Sequence, residues 1–368
     1  MLPIYKPYIS NYKKSALNAI DSEWISNYGI YVENAENKLK DIFDIKYCIL
    51  MNNGTAATHC LFLALKFKYP NINKIYVPNN TFVAGWNCVL MEYDKKQLEV
   101  MKINPETFNI DTSEEYIKSL DQNSCVLIIH NLGNIVNVPR LKRIRPDIIF
   151  VEDNCEGFTG RYEDTYSGMT TSSLCSSISF YGNKILTTGE GGAFFTHNKD
   201  VYDYIKSIYS HGMTNVRYIH KYLAYNYRMT NIQAAFLYDQ LNDLEHILKI
   251  KKEIFELYDK LLEKLFSDKK VVKLKNEKYT RPANWMYCIL IPNVKYEVIE
   301  KHMNDKNIQI RPFFYDIRNH KHLKDIKVLN DEIKNTKHGL MLPSYPNLKR
   351  DEQLYIINCL NEYVSLHP

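Results

Sequence analysis

The chain has 368 residues, a formal net charge of +5, and 45% hydrophobic against 24% charged residues. That composition belongs to a globular protein with room for a large core and excludes a wholly disordered chain. The small charge excess leaves no nucleic-acid footprint, which needs basic residues clustered on one face, and no apolar run approaches the ~20 residues of a membrane span.

At roughly 150 residues per domain, the length predicts two domains or one large one. The opening residues Met1 to Lys6 lack the apolar centre of a signal peptide. Eight cysteines are present and none forms a C-x-x-C pair. They read as reduced core cysteines of a cytoplasmic protein, with no metal site among them.

In chain order, residues 47–51 form a strand, and a helix follows from about Thr55. Its Ala56, Ala57, Cys60, Leu61, Ala64 and Leu65 recur at helical spacing. Residues 74–78, 125–130, 148–153, 177–181 and 192–196 then read as strands. They are continuously apolar rather than alternating, which fits a sheet covered on both faces. Strand and helix in series predict a mostly parallel α/β sheet with right-handed crossovers. The spacing Thr230-x-x-Gln233 is that of a capping box. A helical period runs from there through residues 251–266, as in a helix that bridges two domains. A strand at 286–291, a helical piece at 297–303 and a helix near 351–363 complete the chain. The expected division is a large α/β domain over residues 1–240 and a smaller α+β domain over 241–368.

Three features carry chemistry. Asn53-Gly54-Thr55-Ala56-Ala57 opens the first helix after a strand, where free N–H groups and the positive end of the dipole suit a phosphate; it also reads as an ordinary cap. Glu152-Asp153 ends a strand at the carboxyl edge, where open α/β sheets bind ligands; acidic residues there also serve as turn residues. Lys184 follows a strand inside a Gly- and Thr-rich turn, Tyr181-Gly182-Asn183-Lys184 to Thr187-Thr188-Gly189-Glu190-Gly191-Gly192. A lysine there is a surface group or the amine that a Schiff-base cofactor needs. Together, anion pocket, carboxylate and lysine are what pyridoxal phosphate requires.

With these motifs in place, the chain resembles the sugar aminotransferases of the DegT/DnrJ/EryC1/StrS family, which are fold-type-I pyridoxal-phosphate enzymes. The resemblance runs from residues 21–26 and the NGTAA segment through Pro78 to Ala84 and Glu152 to Gly157. It continues over Tyr225-Asn226-Tyr227-Arg228-Met229, Trp285-Met286-Tyr287, Arg311-Pro312-Phe313-Phe314 and Leu342 to Pro346. It implies that Lys184 bonds the cofactor and shuttles the proton, and that Asp153 pairs with the pyridine nitrogen. Phe82 stacks on the ring; Gly54, Thr55, Ala56 and Ser179 hold the phosphate; Glu156 approaches the phenolic oxygen. Asn226 reaches the phosphate of the neighbouring subunit, so a homodimer with shared active sites is implied. Trp24, Ser26, Trp285, Arg311, Phe313 and His320 fall in segments that line the sugar nucleotide site. The implied substrates are glutamate and a keto sugar nucleotide, in amino-sugar and surface polysaccharide (lipopolysaccharide) biosynthesis, with C4 of a 4-keto-6-deoxyhexose as the acceptor carbon. C3 of a 3-keto sugar, or a non-catalytic cofactor-binding regulator, are the alternatives. Dehydratases of the family carry His in place of the lysine, so Lys184 favours amination.

Overall fold

The computed structural model describes residues 1–328 and 337–366. A seven-stranded sheet organises the first two-thirds of the chain. Its strands are β1 (Tyr47–Met51), β2 (Ile75–Pro78), β3 (Leu98–Met101), β4 (Cys125–Ile129), β5 (Ile149–Asp153), β8 (Ser176–Ser179) and β9 (Gly192–Thr196), in the order β1-β9-β8-β5-β4-β2-β3. A short hairpin, β6 (Arg161–Tyr162) and β7 (Thr165–Tyr166), lies outside it. Four of the six neighbouring pairs are parallel; β9 alone runs antiparallel, to β1 and β8. Strands β2, β4 and β9 are buried along their whole length, as continuous apolar runs require when helices cover both faces; the serine-rich β8 is equally buried.

Helices α1 (Lys14–Asp21), α2 (Ile30–Phe43), α3 (Gly54–Lys68), α4 (Ala84–Leu90), α5 (Glu114–Lys118), α6 (Val138–Ile144) and α7 (Lys199–Ile208) provide that cover. On one side α3 and α7 pack their Leu61, Leu65, Val201 and Ile205 under the sheet. On another, α2 buries Ala35, Leu39 and Phe43 together with Ala234 and Leu237 of α8 (Asn231–Asn242).

Two expectations change. The run at 177–181 is a strand only to Ser179, because Phe180 and Tyr181 enter a turn in which the Lys184 amide donates to the Tyr181 carbonyl at 2.9 Å. The helical stretch from 230 to 266 is two helices, α8 and α9 (Leu244–Ser267). The Thr230 and Gln233 capping box opens α8. Asp243 interrupts it with φ −119° and ψ 21°, and its carboxylate accepts a 2.7 Å hydrogen bond from the Tyr12 hydroxyl. Aspartate is a weak helix-interior residue; past the bend, α9 keeps Leu244 and Ile247 in the large core and passes to the second core from Ile254 on.

Beyond α9 a four-stranded antiparallel sheet forms, in the order β10-β12-β14-β13: β10 (Val272–Lys273), β12 (Tyr287–Leu290), β13 (Arg311–Pro312) and β14 (Gly339–Leu342). Between β10 and β12, β11 (Thr280–Arg281) pairs with β6 and ties the two parts together. Helices α9, α10 (Tyr296–Asp305) and α11 (Arg350–Leu366) enclose a separate core around Tyr258, Ile289, Ile299 and Ile357. The first residues of the chain join this second core, since Leu2 bridges Ile308. We propose a domain division near Asp243, with residues 2–4 crossing to the smaller domain; residues 329–336 and 367–368 of that domain lie outside the described residues.

Candidate active site

The site forms where strand ends meet a helix start. Strand β1 runs into Asn53, whose side-chain oxygen accepts from the Ala56 amide at 2.8 Å and caps α3. The cap starts the helix at Gly54, one residue ahead of the expected start, and leaves the Gly54 and Thr55 amides pointing off its end. An added Cβ at Gly54 would lie 2.6 Å from Ser179 Cβ. Glycine is therefore what lets the end of β8 approach α3, setting the Ser179 hydroxyl beside those amides.

At the end of β5 the two acidic residues part company, because successive strand side chains point to opposite faces. Glu152 turns away from the cleft. It is fully buried and is held by the Tyr162 hydroxyl, the Gly168 amide at 3.1 Å and His130 Nε2 at 2.9 Å. The Val136 amide donates to His130 Nδ1 at 3.1 Å, which leaves Nε2 to carry the proton toward Glu152. Asp153 turns toward the cleft. Its Oδ1 accepts from the Cys155 amide at 3.0 Å, and its Oδ2 lies 3.5 Å from the Thr58 hydroxyl.

Lys184 lines the same cleft as Asp153. Its Nζ is 3.9 Å from Glu156 Oε1 and 4.4 Å from the centroid of the Trp285 ring. The Trp285 Nε1–H donates to the Asn183 carbonyl at 3.0 Å. Burial pushes the Glu156 carboxyl up to about 7; the Lys184 charge and the Leu132 amide, donating to Oε2 at 2.8 Å, pull the other way without cancelling it.

Gly54, Thr55, Ala56, Phe82, Asp153, Glu156, Ser179, Lys184, Trp285 and Arg311 share one cleft of about 790 Å3. Phe82 forms an exposed side wall, with its ring centroid 6.4 Å from that of Phe314. The remaining expected residues lie elsewhere in the chain. Trp24 and Ser26 sit on the exposed loop between α1 and α2, where their carbonyls accept from the Asn231 side chain and amide, each at 2.6 Å. Asn226 caps nothing in the cleft; its side-chain oxygen accepts from Arg228 Nε at 2.9 Å. Phe313 is a core residue with its ring 4.9 Å from that of Phe108. Strand β13 ends at Pro312, so the alternation that would carry Phe313 alongside Arg311 is lost, and Phe314 reaches the cleft instead. His320 packs its ring 5.1 Å from that of the buried Trp86 and is not among the residues lining the cleft.

The structure adds cleft residues outside the motifs, Thr58, His59 and Met91, and Cys155 and Tyr227 from within them. Thr58 and His59 follow Thr55 by three and four positions on α3, so helical spacing from the phosphate cradle was the available signal. His59 joins the Tyr227 hydroxyl on one ring nitrogen and Glu92 on the other, both at 3.1 Å. Among the described residues no cluster of three or more His, Cys, Asp or Glu is arranged to hold a metal ion.

Comparison with known proteins adds a family. Residues 8–361 match the DegT/DnrJ/EryC1/StrS aminotransferase family. The chain is 30% identical over 378 residues to the GDP-perosamine synthase of Escherichia coli O157:H7, covering 99% of each. Among solved structures, Helicobacter pylori PseC, an aminotransferase involved in the biosynthesis of pseudoaminic acid, superposes with a TM-score of 0.87 at 20% identity, covering 99% of each chain. The E. coli GDP-4-keto-6-deoxy-D-mannose-3-dehydratase with bound hydrated PLP superposes with a TM-score of 0.86 at 19% identity, covering 98% of this chain and 99% of the other. Aminotransferase and dehydratase thus share this fold, and the chemistry must be argued from the side chains.

Proposed function

The chain belongs to the DegT/DnrJ/EryC1/StrS aminotransferase family, and from that membership we propose that it transfers an amino group from glutamate to C4 of a nucleotide-linked 4-keto-6-deoxyhexose. It is a pyridoxal-phosphate-dependent sugar nucleotide aminotransferase. The likeness to a GDP-perosamine synthase supports a GDP-linked acceptor and C4 as the carbon that receives nitrogen. The observation that carries the reading is that Lys184, Asp153 and the first residues of α3, Gly54 and Thr55, line one cleft.

The residues fit the cofactor. Gly54 clears the approach to the α3 amides and Ser179, which supports a phosphate seat there. Asp153 lines the cleft with Oδ1 bonded to the Cys155 amide and Oδ2 approached by the Thr58 hydroxyl only at 3.5 Å, which supports it as the partner of the pyridine nitrogen. Bound there, the cofactor supplies an electron sink for the pair left when a proton is removed beside the transferred nitrogen. Lys184 holds and returns that proton at Nζ. Glu156, with its carboxyl near 7, is able to donate or accept at the cofactor's phenolic oxygen close to neutral pH. Arg311, with its guanidinium 5.1 Å from the Tyr5 ring centroid, offers a fixed cation for the nucleotide diphosphate.

Lys184 favours amination over dehydration, since the amine is needed to move the proton. In this reading the enzyme is a homodimer in which Asn226 of each subunit serves the other's phosphate. Its position outside the cleft of its own chain supports that arrangement. The reading includes action in the cytoplasm on intermediates of lipopolysaccharide or related glycans. Among the described residues no helix is long and apolar enough to cross a membrane. The test is a panel of 4-keto and 3-keto sugar nucleotides with glutamate, read by mass spectrometry. An amino product from 4-keto substrates alone is expected, and it should disappear in Lys184→Ala. Amination by that variant at the wild-type rate would refute the reading.

A further inference from the structure

Behind Lys184 lies a lysine that the reaction does not use. Lys251, in the second turn of α9, is 4% exposed. Its Nζ donates to the Trp285 carbonyl at 2.9 Å and to the Ser344 carbonyl, and it stands 5.3 Å from the Phe255 ring centroid. Among the described residues, no carboxylate lies within ion-pair distance of it. Burying an unpaired ammonium is costly, and burial brings this one down to about 7, with the nearby Cys288 thiol opposing. A packed methionine would fill the same space without that cost. The lysine is therefore best explained by what it holds.

What it holds is the backbone of Trp285. The indole of that residue touches the reactive segment twice: its N–H bonds the Asn183 carbonyl at 3.0 Å, and its face lies 4.4 Å below Lys184 Nζ. We propose that Trp285 and Lys251 are a positioning unit for Lys184. The indole seats the amine and fastens its neighbour Asn183, and Lys251 locks the indole from behind through the Trp285 carbonyl. A π face attracts a cation without accepting its proton as a carboxylate would, so it aims Nζ and still leaves the amine free to give and take protons. The unit also couples the two sheets, because Lys251 and Ser344 belong to the smaller part and Lys184 to the larger. The inference rests on the reading of Lys184 as the reactive lysine.

The test uses full-length protein labelled with 5-fluorotryptophan. The three tryptophans, Trp24, Trp86 and Trp285, give three fluorine resonances, and Trp285→Phe assigns the third. In Lys251→Met the Trp285 resonance should shift or broaden while the other two hold. In cofactor-free protein, where Lys184 carries a free amine, the same signal should move in Lys184→Met, as the cation leaves the ring. The rate of the glutamate half-reaction should fall on the order of tenfold in Lys251→Met, as a small misplacement of a reacting group does, with KM for glutamate little changed. A Trp285 resonance unmoved in both variants, or a full rate in Lys251→Met, overturns the proposal. Should Lys251→Met fail to fold, Trp285→Phe and Trp285→Leu decide: the ring-retaining variant, which loses the bond to Asn183, should fall below wild type but stay well above the aliphatic one, and equal rates in the two overturn it. Turnover surviving in Lys184→Ala would instead sink the functional reading, which separates the two failures.

Discussion

Replacing Glu156 by glutamine should change how the stability of the cofactor-free protein depends on pH. In the fold its carboxyl titrates at about 7 instead of 4.5, chiefly because it is buried. The folded carboxyl thus holds its proton more tightly than the unfolded one. Its stabilising contribution is fully present below about pH 4.5 and is lost as pH rises through about 7. At about 1.4 kcal/mol per pH unit, the gap corresponds to about 3 kcal/mol. Glutamine keeps the shape and an acceptor for the Leu132 amide but cannot ionise. Urea unfolding of wild type and Glu156→Gln, measured from about pH 4.5 to 8 in steps, should show the wild type losing about 3 kcal/mol relative to the variant. Parallel stability curves across that window would show that Glu156 titrates normally, and would remove the argument that it is a ready proton donor at neutral pH.

Gly54→Ala should leave the chain folded but weaken cofactor binding by tenfold or more, because the new Cβ must push Ser179 away from the α3 amides; equilibrium dialysis of pyridoxal phosphate measures it, and unchanged affinity would move the phosphate seat elsewhere. Lys184→Ala and Asn226→Ala should each be poor enzymes alone. Mixed, unfolded and refolded together, they should regain activity, since a hybrid dimer holds one site with both residues intact. Mixtures that recover nothing beyond the sum of the two would argue that Asn226 does not serve a partner's site.

The large sheet was legible because its chemistry is local. Runs such as Cys125–Ile129 and Gly192–Thr196 are apolar on both sides, and that alone marks a doubly covered strand. The direction of β9 was not legible, since an apolar run reads the same in either sense; the antiparallel return follows from the turn that carries Lys184. The helix break at Asp243 was hidden for a similar reason. The apolar period continues across it, Leu244 and Ile247 still pack in the large core, and the break is marked by the tertiary contact of Asp243 with Tyr12. Helices α1 and α2 carry no motif of their own and are stabilised by docking on α8 through contacts such as Ser15 with Asp239, at 2.5 Å between Oγ and Oδ1.

The site divides along the same line. Gly54, Asp153, Ser179 and Lys184 sit at strand ends or helix starts, so the physics that builds each element also delivers its functional group to the carboxyl edge of the sheet. Arg311 lies on β13, and Trp285 and Phe314 lie in the segments just before β12 and just after β13, so their reach depends on how the antiparallel sheet sits against the first one. Periodicity says nothing about such closure, which is why Phe313 and Phe314 could not be told apart in the sequence. The structure tells them apart by a boundary: β13 stops at Pro312, Phe313 drops onto Phe108, and Phe314 is left facing Phe82. The same closure places the Trp285 indole under Lys184. Residues that tune the acceptor sugar should therefore be sought on and beside the antiparallel sheet, whereas the residues proposed to hold the cofactor lie on and beside the parallel one.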